Sequence, residues 1–429
     1  MTYYVDAGCK IAGNDGLTQE NPLHSIDKIK LNAGDTVLFK RGTVIRTPLF
    51  LQSGESGKPI TYGAYGEGEN PVVNTSVQAC NSKQWHEEYP NIWRFTGELP
   101  SEICNIVFDD GICFGNLRWE MESLKKQGEW TCDTLGYSMW KLPHNGNGTV
   151  YLFSKKNPAK IYNSIELVFW GEMKIVTAQH DVIIENITFE KGGVHGFAAT
   201  NPERIHIINC RFRCIGGGVF DLDNKIRLGN AVEFWNGARD CLVERCIFED
   251  IYDSGVTHQG NSCERIPKRI IFRQNTFIRC GLAAYEWRGP VSKDIIFEKN
   301  RCMEAGGAFT LQGEGNPRRT EKIENISACV FVLIWYKEED LAENAVYCTI
   351  RNNQFYLGSG SNAAIWSTLK KKDYRHFIID HNEYYQQPAQ AMTHIDDRTY
   401  VAEEYRRYQE ETKLDKSSNF IILNEFSFE

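Results

Sequence analysis

The sequence lacks three features, and each absence argues against a class of protein. No apolar run approaches the ~20 residues of a membrane-spanning helix, so we expect no membrane partner. Basic residues are not in excess, since 48 Lys and Arg face 56 Asp and Glu for a net charge of −8. Binding to a phosphate backbone needs a basic surface, so we expect no nucleic-acid partner. No basic-then-apolar signal segment follows Met1.

Motifs for zinc binding are also missing, although the chain has 14 cysteines. No Cys-x-x-Cys pair occurs, and the second half of a zinc site follows neither Cys210 and Cys214 nor Cys241 and Cys246. The cysteines are scattered through apparent strands, where reduced thiols act as small hydrophobic side chains. We therefore expect reduced cysteines, a cytoplasmic location, no metal site and no cofactor.

The dominant feature that is present is a repeat, which begins near Asp181. A short hydrophobic line recurs, and nearly every copy is followed by a glycine-rich turn and a second short strand. Phe248 to Phe277 is 29 residues, and Phe277 to Cys302 is 25 residues. Short strands repeated at this interval without helical periodicity predict a parallel β-helix, whose crossovers are right-handed. The copies lie at 182–189, 205–212, 241–248, 270–277, 295–302, 347–355 and 377–384.

One column of the repeat carries small polar residues two positions before the closing residue of each line. Asn at a corner can bond backbone groups of neighbouring coils, so a stack of Asn predicts a ladder, and Cys fills the same inward slot in early coils. The column consists of Cys210, Cys246, Asn275, Asn300, Asn353 and Asn382.

We predict an all-β fold, a single right-handed parallel β-helix. A repeat protein needs atypical units at its ends, and an open sheet edge needs a cover. Thr399 to Lys413 has the apolar stripe of a capping helix. The predicted parts are an N-terminal cap with the first coils (1–75), a β-rich insertion (80–175), regular coils (180–390) and a C-terminal cap (395–429).

Three short strands carry polar residues on one face and form the candidate site. Alternation along each strand places Glu233, Thr257 and Glu286 in one outward column. The same alignment adds His195 before them and Thr310 after them. The next outward column is predicted to contain Phe197, Trp235, Gln259, Arg288 and Gln312. The residues between these columns, Phe234, His258 and Trp287, are expected to point inward.

The outward carboxylates predict glycosidic chemistry, which needs two carboxyl groups flanking the scissile bond. Glu233 and Glu286 are two coils apart, so their backbones are separated by about 9–10 Å. Their side chains can approach the ~6.5–9.5 Å of an inverting pair. Asp253 belongs to the coil between them, and pairing it with either Glu gives a spacing nearer the ~5 Å of a retaining pair. Both pairings stay open, and all three residues are catalytic candidates.

Sugars bind in grooves lined by aromatic side chains and a few polar groups. His258 is interpreted either as a core residue or as a site residue displaced by a bulge. Asp223 is included because its loop can fold over the groove. The alternative interpretation is an exposed face with solvated charges. The predicted substrate-binding residues are His195, Trp235, His258, Gln259, Trp287, Arg288, Gln312 and Asp223.

Several segments resemble a known family, the pectin-lyase-like right-handed parallel β-helix proteins of bacterial carbohydrate metabolism. The start of the chain resembles theirs in Tyr3-Tyr-Val-Asp6 with Asn14-Asp15-Gly16, in Gly34 to Gly42 and in Gly57 to Gly66. The segment Gly128-Glu-Trp-Thr-Cys-Asp133, followed by Asn157-Pro158 and Ile165-Glu166, is similar to one in their β-xylosidase-like glycoside hydrolases. The tail from Glu404 to Ser418 resembles their closing helix and turn. The resemblance implies the fold and an oligosaccharide or polysaccharide substrate.

The function predicted from the residues and the resemblance together is a glycoside hydrolase acting on plant or microbial oligosaccharides. The first alternative is a lyase or epimerase acting on uronic-acid-containing glycans. Arg288 and His195 suit that chemistry, but no Lys is expected in the outward columns and no Asp run suggests calcium. The second alternative is a carbohydrate-binding β-helix without catalysis.

Overall fold

The protein is described by a computed structural model for residues 1–27, 29–136, 148–261, 265–307, 309, 326–335, 345–358 and 360–423. Three ten-stranded sheets run along the molecule, and neighbouring strands in each sheet come from successive coils. The strands pair in parallel, apart from one antiparallel pair at the C-terminal end of the third sheet. The predicted right-handed parallel β-helix is confirmed.

Each regular coil contributes one strand to each sheet, and we call the sheets the first sheet, the second sheet and the site sheet. The first sheet contains Thr2–Val5, Thr36–Lys40, Ile60–Tyr65, His180–Glu185, Glu203–Ile208, Arg239–Glu244, Lys268–Arg273, Lys293–Glu298, Cys348–Arg351 and Phe377–Asp380. The second sheet contains Val44–Ile45, Val72–Asn74, Thr188–Glu190, Arg211–Ile215, Ile247–Ile251, Thr276–Cys280, Arg301–Met303, Gln354–Tyr356, Glu383–Gln386 and Asn419–Ile422. The site sheet contains Leu49–Phe50, Lys174–Thr177, His195–Thr200, Val232–Trp235, Ser254–Gln259, Ala283–Gly289, Ala328–Ile334, Ala363–Ser367, Ala391–Ile395 and Arg398–Val401.

A tight corner joins the first sheet to the second in each coil, and its second residue forms the predicted ladder. The backbone N–H of Asn300 donates to Asn353 Oδ1 at 2.9 Å, and that of Asn353 donates to Asn382 Oδ1 at 3.0 Å. Asn353 Nδ2 donates to the carbonyl of Phe297 at 3.0 Å. In an early coil Cys246 Sγ takes the place of the amide oxygen, 3.4 Å from the backbone nitrogen of Cys210. The ladder therefore satisfies corner backbone groups that no strand pairs.

The first residue of each corner has a left-handed backbone conformation, with φ between 52° and 58°. This conformation costs an L-residue about 1–2 kcal/mol, and long side chains such as those of Arg245 and Lys299 do nothing to favour it. The ladder bonds that follow hold the corner in place. The residues are Asn186, Asn209, Arg245, Gln274, Lys299, Asn352 and His381.

The interior is a continuous apolar core in which like residues stack from coil to coil. Phe189, Phe212, Phe248 and Phe277 form one such stack, with successive ring centroids 5.1, 5.3 and 4.8 Å apart. The thirteen cysteines within the described ranges are all free. Burial raises the pKa of the Cys241 thiol to about 12, so this cysteine acts as a hydrophobic side chain. Reduction of the whole set stays a prediction.

Within one coil, between Val72–Asn74 of the second sheet and Lys174–Thr177 of the site sheet, the chain leaves the β-helix. It forms two small sheets with their own core around Trp130. Ion pairs attach this insertion to the β-helix: Arg46 to Glu166 at 3.1 Å and Lys191 to Asp110 at 2.9 Å. One sheet contains Val77–Gln78, Ile103–Phe108, Cys113–Phe114 and Ile165–Phe169. The other contains Trp85–Tyr89, Ile92–Phe95, Asn116–Leu117, Glu129–Cys132 and Val150–Phe153. A hairpin of Gly218–Asp221 and Ile226–Leu228 emerges later from the β-helix.

The C-terminal end is covered by the helix α1 (Tyr405–Thr412). The prediction of a helix from Thr399 is wrong at its start, because Arg398–Val401 pairs antiparallel with the last regular strand of the site sheet. Tyr408 is fully buried and donates to the buried carboxylate of Asp415 at 2.8 Å. Within the ranges given above, no helix has the length and apolar character needed to cross a membrane. Short 3₁₀ turns occur at Ser82–Gln84, Asp109–Gly111, Met121–Ser123, Pro158–Lys160, Lys371–His376 and Ala402–Glu404.

Candidate active site

A cavity of about 570 Å³ opens on the outer face of the site sheet. One wall is apolar and comes from Phe220, Ile226 and Leu228 of the hairpin. The facing wall is polar and comes from successive strands of the site sheet. Its charged or polar lining residues include Lys174, His195, Asn230, Glu233, Asp253, Gln259, Glu286 and Arg288. This volume and mixed lining suit a small organic ligand.

Strand register decides which residues share a column on this wall. Glu233 pairs with Thr257 and Thr257 with Glu286, as the sequence predicts. The neighbour of Glu233 on the preceding coil is Ala198, so the placement of His195 in this column is wrong. His195 instead pairs with Lys174, one strand earlier.

The next column contains Trp235, Gln259 and Arg288, as predicted, but it begins at Thr200. Phe197, which was expected to begin it, is buried in the core and pairs with Val232. Thr310 and Gln312 lie outside the described residues.

Glu233 is held by Asn230, which precedes its strand, and by His195 from the preceding coil. Its Oε2 lies 2.9 Å from His195 Nδ1 and accepts a hydrogen bond from Asn230 Nδ2 at 3.1 Å. Burial acts to raise the pKa of Glu233, but His195 and Asn230 lower it, and the pKa lies below its ordinary value. Glu233 is therefore a carboxylate at neutral pH.

One ring nitrogen of His195, Nδ1, has two alternative hydrogen-bond partners. Its Nδ1 lies 2.9 Å from Glu233 Oε2 and 3.2 Å from the backbone nitrogen of Asn230. With a proton, Nδ1 donates to Glu233; without one, it accepts from the Asn230 N–H. The tautomer of the ring therefore decides which of these two hydrogen bonds forms.

Glu286 has a different environment, although it lies on the same column. Its Oε1 accepts from Arg288 Nε at 2.6 Å, and its Oε2 accepts from Ser254 Oγ at 2.7 Å and Gln259 Nε2 at 3.2 Å. Burial raises the pKa of Glu286, Arg288 lowers it, and the negative charge of Asp253 raises it further. The pKa lies above its ordinary value, which is opposite to the shift at Glu233. The Ser254 hydroxyl can rotate and accept a hydrogen bond when Glu286 is protonated.

Asp253 lies at the corner that enters the middle strand, and its buried side chain lines the cavity. Its backbone N–H donates to the carbonyl of Gly229 at 3.0 Å. A Cβ on Gly229 would lie 2.1 Å from the Cα of Gly216, so only glycine fits there. This close approach fixes the corner from which Asp253 faces the two glutamates. Its charge acts to raise the pKa of both.

Two predicted substrate-binding residues lie in the core instead. His258 and Trp287 are each 1% exposed, because alternation along their strands turns them inward. His258 Nε2 lies 3.1 Å from Ser292 Oγ, and burial lowers its pKa to about 3. Trp287 Nε1 donates to the carbonyl of Pro290 at 3.1 Å. Both are structural residues, and their prediction as substrate contacts is wrong.

The structure adds residues that sequence reasoning missed. Lys174 lines the cavity, contrary to the expectation of no Lys on this face. Its strand lies before Asp181, where the recognisable repeat begins, so the repeat pattern gave no signal for it. Asn230 and Ser254 precede the predicted columns and support the two glutamates. Asp223 lies at the exposed turn of the hairpin, whose apolar residues form the cavity wall.

Comparison with known proteins identifies the fold. No family model and no curated protein matches the chain. Among solved structures, the chain is similar to a GH136 lacto-N-biosidase from Eubacterium ramulus, with 14% identity, a TM-score of 0.50, and coverage of 98% of this chain and 68% of that chain.

Two weaker similarities accompany it. An alginate lyase from Paenibacillus has 9% identity, a TM-score of 0.44, and coverage of 97% of this chain and 99% of that chain. XylC in complex with xylose has 12% identity, a TM-score of 0.43, and coverage of 100% of this chain and 86% of that chain. The resemblance to pectin-lyase-like parallel β-helix proteins is confirmed at the level of fold.

Proposed function

We propose that the protein is a glycoside hydrolase acting on an oligosaccharide bound in the cavity. The observation that carries the proposal is the pair of buried carboxyl groups, Glu233 and Glu286, which face one cavity with pKa values shifted in opposite directions. Environments that separate two pKa values in this way assign the acid and the base. A glycoside hydrolase of similar fold is consistent with this proposal.

In the proposed reaction, Glu286 is the general acid. It gives its proton to the oxygen of the leaving sugar as the glycosidic bond breaks. The new carboxylate is stabilised by Arg288, whose Nε is already 2.6 Å from Oε1, and by the Ser254 hydroxyl at 2.7 Å from Oε2. Asp253 opposes early loss of the proton, because its negative charge raises the pKa of Glu286.

Glu233 is the proposed general base. It is ionised and takes a proton from a water that attacks the anomeric carbon on the opposite face of the ring. Glu233 and Glu286 are separated by two strand spacings, or about 9–10 Å between backbones. Side chains converging from that separation suit the ~6.5–9.5 Å of an inverting pair.

Asp253 supports a retaining variant of the same proposal. It belongs to the coil between the two glutamates, and pairing with Glu286 would approach the ~5 Å spacing of retaining enzymes. Asp253 would then be the nucleophile and Glu286 the acid and later the base. NMR of the first-formed anomer separates the two mechanisms, since inversion and retention give opposite configurations.

A lyase acting on uronic-acid glycans is the second candidate, and Lys174 is the observation that favours it. Lyases need a base beside the uronate and cations that neutralise its carboxylate. Lys174, His195 and Arg288 all line the cavity. A lyase releases an unsaturated product, whereas a hydrolase releases a reducing end without a new double bond.

The test uses a panel of aryl glycosides and uronic-acid polymers, followed by variants on any substrate found. Glu233→Gln, Asp253→Asn and Glu286→Gln keep side-chain volume but remove the titratable group. Loss of an acid or base step should lower turnover by about 10²–10⁴-fold. The exposed Glu67→Gln is the matched control and should behave as the unchanged protein. Near-native turnover in all three site variants, with melting temperature monitored in each, would place the reaction elsewhere.

A further inference from the structure

The basic groups that line the cavity differ in their partners. His195 Nδ1 lies 2.9 Å from Glu233, and Arg288 Nε lies 2.6 Å from Glu286. Lys174 lines the same cavity, but its side chain has neither a hydrogen bond nor an ion pair within the described part of the chain. The cavity therefore holds one ammonium group whose charge the described residues do not pair.

Burial makes an unpaired ammonium group unfavourable at this position. Lys174 is half-buried, and partial removal of an ammonium group from water is unfavourable unless another charge compensates. The more deeply buried Lys191 is compensated in this way, since its Nζ lies 2.5 Å from Glu190 and 2.9 Å from Asp110. A ligand in the cavity can supply the missing negative charge to Lys174.

The position of Lys174 sets where that charge must lie. Lys174 pairs with His195, and the next coil beyond carries Glu233. Lys174 therefore lies two strand spacings from Glu233, about 9–10 Å across the sheet, on the side away from Glu286, and it is also offset by three residues, about 10 Å, along the strands. A group bound by Lys174 would belong to the part of the substrate that extends past Glu233.

We propose that Lys174 is a specificity-determining residue that binds a negatively charged substituent, a carboxylate or a sulfate, on a sugar of the substrate. An ammonium group is a compact charge with three donors and suits either anion. The three carboxyl groups of the cavity disfavour an anionic sugar elsewhere in it, so the substituent is directed to the Lys174 end. The inference rests on the proposed function, since it assumes that the cavity binds sugar.

The test measures binding of sugar pairs that differ only in charge, using the full chain and equilibrium titration calorimetry. Methyl β-glucuronide is compared with methyl β-glucoside, methyl α-galacturonide with methyl α-galactoside, and glucose 6-sulfate with glucose. The uronate pairs and the sulfate pair distinguish the two sources of charge. We expect at least one charged member to bind more tightly than its neutral partner, with an affinity that falls as salt is raised.

Variants then assign the preference to Lys174. Lys174→Met keeps most of the side-chain length and should weaken binding of the charged member roughly 10- to 100-fold, the usual effect of a charged hydrogen bond. Binding of the neutral member should not change. Lys174→Arg should retain most of the preference. The exposed Lys156→Met is the matched control and should retain all of it.

Three results would overturn the inference. They are the absence of any preference for charged sugars, an equal effect of Lys174→Met on both members of a pair, and a loss of turnover in Lys174→Met with binding unchanged. These binding results are independent of the chemical step. A failure of the proposed hydrolase reaction would appear instead as undiminished turnover in the glutamate variants.

Discussion

Two stacks of buried polar residues run along the β-helix, and they differ in the groups with which they form hydrogen bonds. In the Asn ladder, an amide bonds backbone groups and the amide of the next coil, as Asn353 does with Phe297 and Asn382. In the site column, Glu233 and Glu286 are held mainly by side chains from neighbouring columns, and one side opens to the cavity. The ladder is neutral, whereas the site column is charged.

The comparison shows that burial alone does not separate a structural residue from a functional one. Asn353 is fully buried and Glu286 is 1% exposed, yet only Glu286 has a titratable group whose partners act on it in opposing directions. Backbone partners are fixed by the fold, so a residue bonded to them stabilises one conformation. Side-chain partners can exchange protons or rotate, which catalysis requires.

The largest effect is expected for Glu286→Gln, which removes a titratable group from the site column. The proposed reaction needs Glu233 ionised and Glu286 protonated, so activity should fall at low pH as Glu233 gains a proton and at high pH as Glu286 loses one. Because the pKa of Glu233 is lowered and that of Glu286 is raised, the low-pH limb moves to lower pH and the high-pH limb to higher pH. Glu286→Gln should lower kcat/KM by about 10²–10⁴-fold and remove the high-pH limb. A pH–rate profile in which that limb persists would contradict the assignment of Glu286 as the acid.

Breaking the ladder should change stability and leave the chemistry alone. Asn353→Ala removes an acceptor for the Asn300 N–H and a donor to Phe297, which leaves buried backbone groups unpaired. We expect the free energy of unfolding to fall by about 2–4 kcal/mol. The control Gln354→Ala, in the adjacent partly exposed position, should cost less. Chemical denaturation measures the first effect, and an unchanged kcat/KM below the transition checks the second.

Arg288→Gln sharpens the comparison by altering a side-chain partner without removing the carboxyl group. Arg288 lowers the pKa of Glu286 through its charge and its hydrogen bond, so its loss should raise that pKa further. We expect the high-pH limb of kcat/KM to move to higher pH. Arg288→Lys retains the charge and should move it less. A downward shift would show that another group controls this limb.

The smallest effect is expected for Cys246→Asn, which extends the Asn ladder into an earlier coil. Cys246 Sγ lies 3.4 Å from the Cys210 backbone nitrogen and 3.5 Å from the Ile207 carbonyl, the two positions that a ladder Asn bonds in later coils. Cys246→Asn should replace two weak sulfur contacts with stronger hydrogen bonds and increase stability by about 0.5–1.5 kcal/mol. Cys246→Ser is too short to reach both groups and should give no gain. Thermal melting of the two variants side by side tests the difference.

The fold could be predicted because a column repeats with the same residue types. The Asn ladder and the pairing of Glu233, Thr257 and Glu286 both follow from repeated strands of similar length. His195 was misplaced although the corner before its strand has the same length as later corners. Phe197 follows Phe189 by eight residues, as Val256 follows Phe248. Counting from the stacked phenylalanines places Ala198, and not His195, in the Glu233 column. Lys174 could not be predicted because the insertion separates its strand from the first coils.

The pKa shifts of Glu233 and Glu286 could not be predicted from the sequence either. They depend on distances between residues from different coils, such as Asp253 to the two glutamates and Ser254 to Glu286. A sequence places these residues in neighbouring strands without saying which oxygen faces which donor. The opposite shifts of Glu233 and Glu286 therefore emerge only with the side chains in place.

The two ends of the cavity lie at unequal depths in the stack of coils. Four strands of the site sheet lie beyond the Glu286 strand, whereas only the two-residue strand Leu49–Phe50 lies beyond that of Lys174. In a solenoid, each coil depends on its neighbours, and local opening starts where neighbours are few. Amide hydrogens of Lys174–Thr177 should then exchange sooner than those of Ser254–Gln259. Mild denaturant would release the Lys174 end of the cavity while the three carboxyl groups are still held together.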